Sequence, residues 1–253
     1  MWLSHTPRNP SRPDDGRVTE LLRSYTSPGT ELDVYNVDDF EGARVMRRMS
    51  EQSVLTGLSH AVATGAIIRK IVWAEQQGYD AVIQSNTFDP GIEQGRLAVR
   101  IPTIGVFRCT LHTATTLCDR VALTVPLPGH VPYTWRILRM YGMDRFVTDI
   151  RSVGVYSDAV DKQELFNAAL ETMQGIVRDT HPEGIIPLGG ALIPYIVDPL
   201  DLQREVGVPV FNTKSTSIRF AETCHALGLS HSPITYPSAK LTYEDFTSYA
   251  FKD

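Results

Sequence analysis

No apolar run in this sequence approaches the ~20 residues that a membrane-spanning helix needs; stretches such as 61–68 and 184–188 are far shorter. The amino end reads Met-Trp-Leu-Ser-His-Thr-Pro-Arg-Asn-Pro, with no basic flank leading into an apolar stretch. A secretory signal and a membrane partner are therefore not expected, and the cytoplasm is the expected address. Lys and Arg form no tract and the net charge is -5, which argues against a nucleic-acid partner. Cys109, Cys118 and Cys224 are odd in number and form no Cys-x-x-Cys pair, so neither a zinc ribbon nor a disulfide scaffold is indicated. Gly-x-Gly-x-x-Gly and Gly-x-x-x-x-Gly-Lys-Ser/Thr are both missing, which weakens dinucleotide and nucleoside-triphosphate readings without excluding them.

What is present is an ordinary globular composition, 42% apolar and 21% charged over 253 residues, enough for one larger core or two half-size ones. Short apolar runs alternate with helical spacing, the pattern of an α/β protein with parallel strands. Strands are predicted at 1–4, 32–37, 80–85, 103–107, 121–125, 146–155, 184–188 and 208–211. Helices are predicted at 16–25, 51–77, 131–141, 161–179 and 214–227.

The chain also repeats itself. Gly78 to Ser85 leads through a polar loop to Asp89-Pro90, a short helix and Ile101-Pro102-Thr103-Ile104-Gly105. Pro182 to Leu188 leads through Gly189-Gly190 to Asp198-Pro199, a short helix and Val208-Pro209-Val210-Phe211. Two similar halves, near 1–110 and 120–212, follow. Ligands of open parallel sheets bind beyond the carboxyl ends of the strands, which sets the loops after Ser85 and Leu188 on opposite sides of one cleft. Such a cleft suits proton transfer at a planar carbon.

These residues resemble the Asp/Glu/hydantoin racemase superfamily, with its arylmalonate decarboxylase and maleate isomerase branches. The resemblance rests on Asn86-Thr87-Phe88-Asp89-Pro90-Gly91, on Ile101 to Gly105 followed by Leu111-His112-Thr113-Ala114, and on Leu188-Gly189-Gly190-Ala191 and Gly207-Val208-Pro209-Val210. It implies two Rossmann-like lobes related by a pseudo-twofold, no cofactor, and a small carboxylate or cyclic amide in the interlobe cleft. The first lobe is expected at 1–115 plus about 213–253, the second at 116–212. The resemblance also implies a cysteine in Cys-x-x-Asp-Pro-Gly and another in Leu-Gly-Cys-Ala. Here those positions hold Asn86 and Gly190, so two-thiol racemisation does not carry over.

The candidate site is therefore drawn from what replaces the thiols. Asn86 and Thr87, with Ser85 and Phe88 beside them, sit at a strand end where backbone amides hold a carboxylate or an oxyanion, or else make a plain turn. Asp89 before Pro90 reads as a cap for the next helix. His5 ends the first strand; it is either a cleft imidazole titrating near neutrality or an exposed terminal histidine. Gly189, Gly190 and Ala191 allow close backbone approach to a ligand or form a tight turn. Thr124, Tyr156 and Lys214 complete the substrate-binding candidates, Lys214 as positive charge for an anion or as a solvated lysine. Arg8, Arg12 and Arg17 around Pro7, Pro10 and Pro13 read as a flap over the cleft or an ordinary loop. The tail from Ser232 is long enough to dock on a neighbour, and a homo-oligomer is expected. The reading is a cofactor-independent enzyme of non-thiol lyase, decarboxylase, isomerase or hydrolase type, with His5, Asn86 and Thr87 as its catalytic candidates. The alternatives are a racemase using His or water, and a non-catalytic small-anion-binding protein.

Overall fold

The computed structural model describes residues 1–8, 16–51, 57–156, 160–189 and 192–247. The first half runs β1 (Trp2–Pro7), α1 (Arg17–Ser24), β2 (Val34–Val37), α2 (Ala43–Glu51), α3 (Leu58–Gln76), β3 (Val82–Gln84), α4 (Ile92–Ala98), β4 (Thr103–Gly105) and α5 (Val106–Ala114). The second runs β5 (Val121–Val125), α6 (His130–Tyr141), β6 (Val147–Ser152), α7 (Lys162–Thr180), β7 (Gly184–Pro187) and α8 (Pro199–Val206), and α9 (Thr213–Ala226) follows.

Two parallel sheets form, in the orders β2-β1-β3-β4 and β6-β5-β7. A single parallel bridge from Ile185 to Val210 occupies the place in the second sheet that β4 holds in the first. The two orders are then the same order, which is the sequence repeat written as topology. The strand expected at 208–211 shrinks to that bridge because Asn212 already turns the chain into α9, its side chain accepting from the Lys214 and Ser215 N–H groups.

Each sheet is apolar on both faces, as parallel sheets covered by helices are. Ile67, Ile71 and Val72 of α3 pack on Leu3 and Val82 of the first sheet, with Trp2, Ile83 and Ile218 on the other side. Leu138 of α6 meets Leu123 and Val125 of the second sheet, and Leu165, Met173 and Leu202 cover Ala122 and Ile185 opposite. Helix α5 belongs to both bodies: Val106 and Cys109 enter the first lobe's core, while Phe107 and Leu111 enter the second's. Helix α9 returns to pack against α5, β3 and β4.

Several boundaries differ from the spacing-based reading. The strand expected at 103–107 stops at Gly105, because Val106 begins α5. Helix α2 covers a stretch where spacing predicted no helix, and the helix expected at 51–77 is α3, beginning at Leu58; residues 52–56 of that range lie outside the described ones. So do residues 9–15 of the proposed flap. The described part of the tail folds onto its own chain. Arg100 donates to the His231 and Tyr236 carbonyls, the Thr103 N–H donates to His231 Nε2 at 2.7 Å, and Leu241 and Phe246 pack on the first-lobe core. Among the described residues no helix is long and apolar enough to cross a membrane.

Asp89 carries the largest correction. It does not cap α4, whose cap residue Gly91 makes no side-chain bond. Its carboxylate accepts instead from the Phe107 N–H at 2.9 Å and the Arg108 N–H at 2.8 Å, so it caps α5 from 18 and 19 residues away. It also accepts from Tyr141 Oη at 3.2 Å, across from α6. The carboxylate approaches so closely that a Cβ on Gly105 would lie 2.3 Å from Asp89 Cγ. Gly105→Ala should therefore lower stability by about 1–3 kcal/mol, measured by urea unfolding. An unchanged midpoint would mean that the Asp89 cap is not held against the β4 end.

Candidate active site

The loop that follows β3 is built from side chains bonding to nearby backbone. Gln84 Oε1 accepts from the Asn86 N–H at 2.8 Å, and Asn86 Oδ1 accepts from the Phe88 N–H at 2.9 Å, an Asx turn. A backbone N–H only donates, so the Asn86 amide has one orientation. Its Nδ2 must then donate to His5 Nε2, which lies 3.0 Å away. The imidazole is thereby a neutral ring with its proton on Nδ1. That Nδ1 is sealed from solvent and has no partner among the described residues. Gln84 Nε2, whose amide is oriented by the same logic, is likewise buried and unpartnered. Two donors of fixed orientation thus sit at adjacent strand ends with nothing to donate to.

Around this loop lies an aromatic cluster drawn from both lobes. Phe88 packs 5.6 Å from the His60 ring of α3, 5.6 Å from the His130 ring of α6 and 5.0 Å from Tyr133. His60 Nδ1 and Tyr133 Oη share a hydrogen bond of 3.2 Å, and the His5 and His60 rings are 6.4 Å apart. His130 also meets the Tyr156 ring at 6.3 Å. The structure therefore brings His5, Asn86, Phe88 and Tyr156 into one constellation and adds two histidines that the sequence reading missed. His130 had a signal: it stands just beyond the carboxyl end of β5, where the strand-end rule places ligands. His60 had none, since it reaches the cluster only through the packing of α3.

The remaining candidates fall into place around it. Lys214 is not a solvated lysine: it is fully buried, its Nζ donates to the Ser85 carbonyl at 2.9 Å, and the ammonium lies over the Trp2 and Tyr195 rings. Thr87 is buried in the loop, and Thr124 is buried in β5. Thr124, Pro126, Leu188 and Gly189 line a cavity of about 10 Å³, room for about one water. A Cβ on Gly189 would meet Pro126 at 3.0 Å. Gly190 and Ala191 lie outside the described residues. Cys109 sits in the first turn of α5 with its thiol pushed up to about 12 by burial, far from the range of a reactive thiolate.

Comparison with known proteins bears on the family and the fold. A family model described as Asp/Glu/Hydantoin racemase matches residues 17–221. The chain is similar to the hydantoin racemase of Rhizobium meliloti, 26% identical over 193 residues that cover 74% of this chain and 79% of that protein. It is equally similar to the hydantoin racemase of Pseudomonas sp. (strain NS671), 26% identical over 207 residues covering 80% and 82%. Among solved structures, the allantoin racemase from Klebsiella pneumoniae shares the fold with a TM-score of 0.77 at 19% identity, covering 95% of this chain and 93% of that one. Arylmalonate decarboxylase shares it with a TM-score of 0.56 at 16% identity, covering 93% and 98%.

Burial governs the charge state of the cluster. His5 is pushed down to about 3, first by desolvation and then by His60 and the Lys214 ammonium, which corrects the expected titration near neutrality. His60 is pushed down to about 4 by burial and by His130. Desolvation lowers Lys214 to about 7 against the pull of Asp89, and raises Asp89 to about 6 against its N–H partners. The unfolded chain takes up protons on His5 and His60 below pH 6.5 while the folded one refuses them, so stability is lost as pH falls from 6.5 toward 4. For His60 alone the loss at pH 4 is about 3 kcal/mol. His60→Gln should flatten the stability decline over that window by about this amount, read from urea unfolding at a series of pH values. An unaltered slope would show that His60 is not held neutral by burial.

Proposed function

The chain belongs to the Asp/Glu/hydantoin racemase family, and from that premise we propose that it is a cofactor-independent isomerase- or lyase-type enzyme. It takes a small carboxylate or amide between its lobes and stabilises an oxyanion without a thiol. Of the two substrate classes we favour an uncharged cyclic amide. The rings around Phe88 are neutral imidazoles and aromatics, and none of them offers a positive charge. A carboxylate buried there would lack a committed counter-charge, which is costly. A cyclic amide offers carbonyl acceptors instead. The similarity to two hydantoin racemases supports the same class.

The observation that carries this reading is the His5 Nδ1–H, fixed as a donor through Asn86 and left without a partner. Loss of the proton next to a carbonyl moves an electron pair onto the carbonyl oxygen. A donor already in place stabilises that oxygen without reorganising, and removing one such donor costs about 10²–10³ in rate. His5 then serves as the oxyanion donor, Asn86 as the residue that sets its tautomer, and Thr87 and Phe88 as the loop that meets the substrate. Among the possible outcomes, similarity to two hydantoin racemases supports racemisation, for which imidazole or water would take the place of the thiols.

The test is incubation of one enantiomer of 5-benzylhydantoin with the protein in D2O, following the C5 proton by NMR and the optical rotation alongside. The C5 proton should exchange, His5→Ala should slow exchange by roughly 10²–10³, and Thr87→Ala should mainly raise KM. Binding of the hydantoin with no exchange, and no carbon dioxide from an arylmalonate, would make the chain a binding protein and overturn the enzymatic reading.

A further inference from the structure

With His5 committed as a donor, the proposed reaction still needs a proton acceptor. We infer that His130, presented by α6 of the second lobe, is the base that takes the proton from the carbon next to the substrate carbonyl. The inference rests on the function proposed above. His130 opens α6, only five residues beyond the end of β5 at Val125. Its ring is 3% exposed, and neither Nδ1 nor Nε2 has a hydrogen-bond partner among the described residues. Buried imidazoles ordinarily have at least one. The Thr134 hydroxyl, on the same helix, donates to the His130 carbonyl and leaves the ring untouched.

The other histidines of the cluster are already engaged. His5 Nε2 accepts from Asn86, and His60 Nδ1 is bonded to Tyr133. His130 alone among these three has both nitrogens open, so it is locked in neither tautomer and can present a lone pair. It also stands in the second lobe, whereas the His5 donor stands in the first. The groups facing its ring are Phe88 from the β3 loop, Tyr156 from the segment after β6, and the neutral His60 from α3. Burial lowers the pKa of His130 itself, which keeps the free ring neutral at pH 7.

The step balances without a further reactant. The C–H bond breaks, its proton bonds to a ring nitrogen of His130 to give an imidazolium, and its electron pair becomes the enolate. The enolate oxygen accepts from His5 Nδ1–H. Return of that proton from His130 restores the starting enantiomer, and delivery of a proton from water to the opposite face inverts it.

His130→Gln should reduce C5 proton exchange of 5-benzylhydantoin in D2O by at least a hundredfold, with KM within about threefold of the wild type. The acid limb of the wild-type rate should titrate below pH 6.5, with the rate rising as His130 becomes neutral. ¹⁵N NMR of histidine-labelled protein should give His130 that same midpoint, a comparison that needs no variant to fold. Exchange at the wild-type rate in His130→Gln, or a His130 midpoint unlike that of the rate, would overturn the base assignment while the proposed function stands. A wild type inert toward the hydantoin would overturn both.

Discussion

The Asn86 side chain accepts from one backbone N–H and donates to one imidazole nitrogen, and the chemistry assigned to the cleft depends on that pair of bonds. The Phe88 N–H has no choice of role, so the amide has none, and neither has His5. The residue at the position where the resemblance implies a cysteine thus fixes the direction of a hydrogen bond to His5. Burial then reinforces the arrangement: a ring that cannot readily be protonated remains a directed donor over the whole neutral range.

The loop that carries Asn86 is held from several directions. Lys214 of α9 bonds the Ser85 carbonyl, Gln84 bonds the Asn86 N–H, and Asp89 ties the loop's far end to α5 and, through Tyr141, to α6. The Asp89 contacts also join the lobes, because α5 enters both cores and α6 lies on the second sheet. Buried ionisable groups such as Asp89 and Lys214 are weak stabilisers in net terms. Here they set the position of a loop, which is the better-attested use of such groups.

The doubled fold was legible because its signal is local: each Asp-Pro and each short apolar run sits at the same place in both halves, and the strand orders match. Asn86 and Phe88 were legible as strand-end residues, whereas His5, expected to end its strand, lies inside β1, which runs on to Pro7. What escaped depends on distance in sequence. The Asp89 cap of α5 spans 18 residues, so spacing pointed to the nearer helix and carried β4 too far. Lys214 reads as polar, and only the Trp2 and Tyr195 rings from other elements bury it. His60 joins the cluster through helix packing alone, and the neutral state of His5 follows from a field that no single segment contains.

The central claim is the protonation state of His5, and long-range ¹H–¹⁵N NMR of the histidine-labelled protein reads it directly. The account predicts a neutral His5 ring at pH 7 with the proton on Nδ1 and a bare Nε2, persisting below pH 5, and altered when Asn86 is replaced by Ala. An imidazolium at pH 7, or a neutral ring protonated on Nε2, would contradict it.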